Sequence, residues 1–296
     1  MKKKIGCFFT LLLFAISCMA QTASITLTNT VTGIQGASLK NVQARLQAQQ
    51  SPYQNKLTTE NVGDLYKASF VEIKHALRPF GYFKPIVQGQ LVHTGNNWQA
   101  YYQINQGPPL RITHLSIQLL GDATKDPAYR NYLVKSPLQQ GQIFNAETYK
   151  TVKQKLFDLA SQRGYFKAKL LKAEILINLQ TYTCDITLIF NSGPRYRLGT
   201  VTFNKTPYSE KFLRRFIPFK TGQPYNEKWI QQLQSNLNSG TYFESVVVKP
   251  YPQEAQNLIV PVKVTLKPRK AVQYNLGIGY GTDTGPRALF GVNWRR

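Results

Sequence analysis

Three histidines, His75, His93 and His114, and fourteen carboxylates are the side chains of this 296-residue chain that could do acid–base or metal chemistry. Their spacing supports neither. No His-Glu-x-x-His occurs, and the acids form no paired motif of the kind general acid–base catalysis uses. His75 falls on the surface of a predicted helix. Gly277-Ile278-Gly279-Tyr280-Gly281 has the glycine content of a phosphate loop, but it lies inside an alternating pattern instead of between a strand and a helix. Its glycines fit one face of a strand better. Cys7 and Cys18 sit in the first twenty residues, which leaves Cys184 alone in the remainder, where neither an intramolecular disulfide nor a cysteine metal cluster can form. No catalytic, cofactor or metal site is expected, and the chain reads as a non-enzyme.

Charge is more informative. Lys and Arg number 37 against 14 Asp and Glu, a net +23, which favours a polyanionic partner, either nucleic acid or an anionic membrane surface. The amino terminus decides between them. Met1-Lys2-Lys3-Lys4 is a positive leader, Ile5 to Ile16 is an apolar run too short to span a bilayer, and Ala20 is a small residue at a cleavage position. Residues 1–20 therefore read as a signal peptide cut after Ala20, with lipidation at Cys18 in Ala15-Ile16-Ser17-Cys18 as the alternative. Export argues against nucleic acid and points to lipid headgroups. Arg214-Arg215 reads as a solvated face or a contact. Lys267, Arg269 and Lys270 are better placed to meet headgroup phosphates, because they directly precede a strand of membrane character.

The elements that position these residues are repeated. Tyr82-Phe83, Tyr165-Phe166 and Tyr242-Phe243 each follow an amphipathic stripe: Phe70, Ile73, Leu77 and Phe80; Tyr149, Val152, Leu156 and Leu159; Ile230, Leu233 and Leu237. Gly81, Gly164 and Gly240 are expected as left-handed helix caps. Strands are predicted before the helices, at Ser24 to Thr30, Ile112 to Leu119 and Leu198 to Phe203. Shorter helices follow them at Leu39 to Gln49, Ala128 to Val134 and Ser209 to Phe219. After each aromatic pair come two more strands, typified by the alternation of Leu258, Val260, Val262, Val264 and Leu266 with polar neighbours. The order β-α-α-β-β gives about 80 residues of α+β structure, with two helices on one face of a three-stranded mixed sheet.

This order resembles POTRA domains, the periplasmic modules of outer-membrane barrel assembly proteins. So do the phrases Gly81-Tyr82-Phe83, Gly107-Pro108-Pro109-Leu110-Arg111-Ile112 and Ser192-Gly193-Pro194-Arg195-Tyr196-Arg197-Leu198-Gly199. Three modules, at 22–108, 109–193 and 194–269, resemble the arrangement of the TamA family of translocation and assembly module proteins. In residues 270–296, Val272, Tyr274, Leu276, Ile278 and Tyr280 alternate with Gln273, Asn275, Gly277 and Gly279. After a turn at 281–286, Ala288, Phe290, Val292 and Trp294 alternate with Leu289, Gly291 and Asn293. This reads as the first hairpin of an outer-membrane β-barrel, truncated, with Tyr274, Leu276, Ile278, Tyr280, Phe290, Val292 and Trp294 facing lipid. The run from Leu276 to Arg287 resembles the start of the barrel in that family. Since two strands cannot satisfy their edges in hydrocarbon, the chain reads as an amino-terminal portion of a longer barrel protein.

The resemblance implies an outer-membrane location with the modules in the periplasm. It implies a TamB-like inner-membrane-anchored subunit, nascent outer-membrane proteins including autotransporters, and outer-membrane phospholipid as partners. Strand addition at an open sheet edge is the expected mode of binding, at Phe83 to Val92, Phe166 to Ile177 and Phe243 to Lys249. The alternative reading is a soluble periplasmic peptide-binding adaptor that never inserts.

Overall fold

The computed structural model describes residues 24–54, 56–269 and 272–294. Residues 1–20, read from the sequence as a signal peptide and including Cys7 and Cys18, lie outside the described residues, as do Lys270 and the side chains of Gln273, Asn293 and Trp294. Residues through Pro109 make one compact unit and those from Leu110 another.

The β-α-α-β-β order occurs three times. In the first module it is β1 (Thr26–Thr32), α1 (Gly36–Gln50), α2 (Thr59–Leu77), β2 (Ile86–Thr94) and β3 (Asn97–Asn105). In the second it is β4 (Arg111–Leu120), α3 (Pro127–Val134), α4 (Ala146–Arg163), β5 (Lys169–Asn178) and β6 (Thr183–Asn191). In the third it is β7 (Arg197–Phe203), α5 (Glu210–Arg214), α6 (Glu227–Asn238), β8 (Phe243–Pro250) and β9 (Ile259–Pro268). Each sheet has its last strand in the middle, parallel to the first and antiparallel to the second. The strand after each aromatic pair is therefore an edge.

Local chemistry explains the helix boundaries. Thr58 and Asn61 close a capping box on α2, Asn145 accepts from Glu147 and Thr148 ahead of α4, and Asn226 caps α6. Gly164 ends α4 in the left-handed conformation, and Gly81 does the same after a 3₁₀ turn at Arg78–Phe80. Gly240 departs from the expected pattern. It has no positive φ, because α6 ends earlier at Asn238 with Ser239 still in helical geometry. Helix α5 is also shorter than the stripe from Ser209 to Phe219 suggested.

Each module has its own core. Val42, Leu46, Ile73, Leu77, Tyr102 and Ile104 fill the first, Tyr129, Leu156, Tyr165 and Phe190 the second, and Leu213, Leu233, Leu237, Val262 and Val264 the third. All these side chains lie on the helix-facing side of their sheets.

The opposite sheet faces differ in chemistry. In the first module β1 contributes Thr26, Thr28, Thr30 and Thr32, while β3 contributes Asn97, Gln99, Tyr101, Gln103 and Asn105. Paired with these, β2 contributes Ile86, Gln88, Gln90, Val92 and Thr94. The corresponding face of the second module carries Arg111, His114, Lys169, Lys172, Glu174 and Asp185. That of the third carries Arg197, Lys249, Lys263 and Lys267.

The last two strands, β10 (Val272–Gly281) and β11 (Gly285–Trp294), form an antiparallel two-stranded sheet of their own. Gly285 supplies a positive φ of 73° at the turn, a conformation that costs a glycine little.

Candidate functional site

The three edge strands that follow the aromatic pairs are not equally open. Strand β2, Ile-Val-Gln-Gly-Gln-Leu-Val-His-Thr, pairs with β3 without a register break from Ile86 opposite Asn105 to Thr94 opposite Asn97, and it carries no Asp, Glu, Lys or Arg. Strand β5 is interrupted between Leu170 and Lys172 and bears Lys169, Lys172 and Glu174. Strand β8 is interrupted between Phe243 and Ser245, bears Glu244 and Lys249, and ends in Pro250. Bulges, charges and proline are the features that blunt a sheet edge against pairing with another chain. Among these three strands only β2 lacks all of them, as does β1 at the other edge of the same sheet.

The second and third modules meet through residues that sequence reasoning passed over. Asp126 precedes Pro127 at the start of α3, and its Oδ1 accepts from the Ala128 amide at 3.0 Å as a helix cap. Its Oδ2 accepts from Arg163 Nε at 2.5 Å and from Tyr165 Oη at 2.9 Å, and Arg195 Nη1 stands 3.6 Å away. Burial alone would push this carboxyl up. The hydrogen bonds from Arg163, Ala128 and Tyr165 outweigh it, so the group titrates below the ordinary carboxylate range. Arg195 lies in the segment joining the modules. Its Nε donates to the Arg163 carbonyl at 3.0 Å, and its Nη2 donates to the Tyr225 carbonyl of the third module at 3.1 Å. The only sequence signal for this network was Asp-Pro ahead of a helix, which reads as a cap and says nothing of two arginines arriving from elsewhere.

The aromatic pairs are used differently in each copy. Tyr165 enters the second core, whereas Phe166 packs on the third module against Tyr196 and Tyr225. In the third copy Phe243 is the buried member, and Tyr242 is 37% exposed beside Tyr208 and Phe212.

In the hairpin, Tyr274 pairs with Val292, Leu276 with Phe290, Ile278 with Ala288 and Tyr280 with Pro286. Direct partners share a face, so Tyr274, Leu276, Ile278, Tyr280, Phe290 and Val292 form one apolar surface, and all are exposed. The backbone of Trp294 pairs with Val272, at a position on the same face. Leu289 lies opposite Gly277 on the other face and is also exposed. Of the basic cluster, Lys267 Nζ donates to Glu244 Oε1 at 2.9 Å, and Arg269 Nη2 donates to the Phe243 carbonyl at 3.3 Å.

The histidines stay apart. His114 Nδ1 lies 3.0 Å from Asp185 Oδ1 on an exposed sheet face, and His93 stacks on Trp98. Cys184 is buried, and burial pushes its thiol up to about 11, far from thiolate chemistry at neutral pH. Among the described residues no group of three or more His, Cys, Asp or Glu could hold a metal ion, and no helix is long and apolar enough to cross a membrane.

The model of the POTRA family, described as a surface antigen variable number repeat, matches residues 114–193 and 196–269, and the model of TamA POTRA domain 1 matches residues 28–106. The chain belongs to the POTRA family. Its first module matches the TamA type and the other two the general type. The three POTRA modules are similar to those in the crystal structure of Haemophilus influenzae BamA POTRA3-5, at 18% identity and a TM-score of 0.42 over 83% of this chain and 96% of that one. The chain is also similar to BamA from Haemophilus ducreyi lacking POTRA domains 1-3, at 20% identity and a TM-score of 0.44 over 62% of this chain, and it spans about a third (34%) of that chain. A further likeness is to CdiB from Acinetobacter baumannii, at 16% identity and a TM-score of 0.35 over 89% of this chain and 45% of that one.

Proposed function

We propose that this chain is the POTRA arm and barrel start of a TamA-like outer-membrane assembly factor. In this reading the modules hold extended polypeptides in the periplasm for delivery to the outer membrane. The observation that carries the reading is the unbroken, uncharged β2 edge, whose free backbone donors and acceptors can be extended by a strand from another chain. The match of the first module to the TamA type makes a TamB-like subunit the partner proposed for that edge. Nascent outer-membrane proteins are the proposed clients.

The apolar face of β10 and β11 favours membrane insertion over a soluble adaptor, because large aliphatic and aromatic groups in such a band suit lipid on one side of a barrel wall. Lys267, Arg269 and Lys270 would then lie at headgroup level. An exposed Lys267–Glu244 pair contributes little on its own, so the ammonium can exchange its carboxylate for a phosphate.

Photocrosslinking tests the edge. A crosslinker at Val92 in the whole chain should capture an extended client or the TamB-like subunit, and a charge placed on the strand by Gln88→Lys should weaken capture. Crosslinkers at Leu176 on β5 and Val247 on β8 should capture less. Equal capture from all three edges would remove the special role of β2.

A further inference from the structure

We propose that the open sheet face of the first POTRA module binds a neutral, N-acetylated glycan strand. This face shares β2 with the edge discussed above but would bind through side chains instead of the strand's backbone, and the inference does not rest on strand addition. A chain with net charge +23 would be expected to scatter lysines and arginines over every solvated surface, and the outer faces of the second and third sheets follow that expectation. The first does not. Its outward rows, such as Thr30–Tyr101–Gln90 and Thr32–Gln103–Gln88, hold only hydroxyls, amides and apolar groups.

The chemistry of those rows selects the ligand. With no cation on the face, a phosphate or carboxylate would meet neutral hydroxyl and amide donors but no counter-charge, so lipid headgroups and nucleic acid are poor fits. An extended polypeptide would pair along an edge through its backbone instead of lying across side chains. A neutral sugar polymer needs what is present: amide donors and acceptors in a row, and an aromatic ring on which a pyranose can lie. Tyr101 is 41% exposed, and its hydroxyl donates to Gln99 Oε1 at 2.5 Å, which ties the two side chains together. Thr30, Thr32, Gln88, Gln90 and Gln103 frame a shallow depression of about 390 Å³ beside that ring. Side-chain amides can exchange paired N–H···O=C bonds with the acetamido groups of amino sugars, which plain hexoses lack. The face runs from Asn97 to Asn105 along β3, about 27 Å at the rise of a strand, which suits an oligosaccharide better than a single sugar.

The test is calorimetric titration of the whole chain with chitopentaose, and with cellopentaose as the sugar lacking acetamido groups. Chitopentaose should bind saturably in about the millimolar range expected of a shallow open site, and cellopentaose at least several-fold more weakly. Tyr101→Ala should weaken chitopentaose binding at least fivefold, while Lys263→Ala on the third sheet should leave it unchanged. Thr30→Lys, which places a long cation at the rim of the depression on a different strand, guards against a folding artefact at Tyr101 and should weaken binding similarly. No saturable binding, equal affinity for the two sugars, or binding indifferent to both face variants would overturn the proposal.

Discussion

Phe166 packs edge-on against Tyr225 with ring centroids 4.9 Å apart at 75°, so the second aromatic pair divides its two members between two modules. Tyr165 anchors the module that precedes the joint, and Phe166 reaches into the one that follows. The backbone supports the same contact, since the Tyr196 amide donates to the Gly164 carbonyl at 2.9 Å. Together with Arg195 these contacts make the second joint a packed interface.

Phe166→Ala should therefore destabilise the third module as well as the second. Truncating a buried Phe costs about 3 to 5 kcal/mol, and Phe166 is only partly buried, so the lower end is expected. Tyr242→Ala should cost less, because that ring is 37% exposed. Denaturant melts with probes in each module would check this; a Phe166→Ala loss confined to the second module would contradict the shared contact.

Gly164 separates steric from conformational cost. Its φ is +82°, and a Cβ there would stand 2.5 Å from Tyr225 Cβ. Gly222 has a φ of +85° with nothing within 4 Å of the same added atom. Gly222→Ala should cost about 1 to 2 kcal/mol from the left-handed backbone alone. Gly164→Ala should cost clearly more, because the clash is with the root of a buried side chain and cannot be relieved by rotation. Equal losses in urea melts would mean that the joint opens readily.

Much of this architecture was legible in the residues. The spacing of Tyr82, Tyr165 and Tyr242 with their amphipathic stripes was enough to give the β-α-α-β-β order, because periodicity and breakers act locally. The alternation in Val272 to Tyr280 was likewise enough for a strand. What was hidden lies in three-dimensional partnership. Asp126, Arg163 and Arg195 are far apart in sequence and have no periodic signature, and the difference between β2 and β5 emerges only once β3 and β6 are known to be central strands.

Asp126 gives the joint a pH dependence with a definite sign. Its folded carboxyl titrates below the unfolded value of about 3.9, so the stabilisation is fully present above that value and is lost as pH falls through the lower folded one. Asp126→Asn should be less stable than the parent at neutral pH, on the order of 3 kcal/mol for a broken buried pair. The gap should narrow once the parent is itself protonated. Urea melts from pH 7 down to about pH 3 would follow it; a gap independent of pH would assign the loss to packing.

The hairpin permits a comparison of two faces at one depth. Ile278 and Leu289 are both exposed, 86% and 65%, yet Ile278 belongs with Leu276 and Phe290 while Leu289 stands with Gly277 on the opposite side. Nearness in the strand pair means that a lysine at either site adds the same charge at a similar height. If the Ile278 face meets lipid, Ile278→Lys should clearly weaken association with lipid vesicles, by less than the roughly 2 to 4 kcal/mol that Lys costs at mid-depth of a complete barrel wall, because two strands alone cannot span hydrocarbon. Leu289→Lys, directed to the other side, should cost far less. Co-sedimentation of the whole chain with vesicles of neutral lipid removes any gain from headgroup charge. A soluble adaptor that used the hairpin as a protein contact would leave vesicle association weak in the parent and insensitive to either lysine. Equal sensitivity at both positions would instead mean a hairpin wrapped by lipid on two sides, which the lumen of a barrel wall forbids.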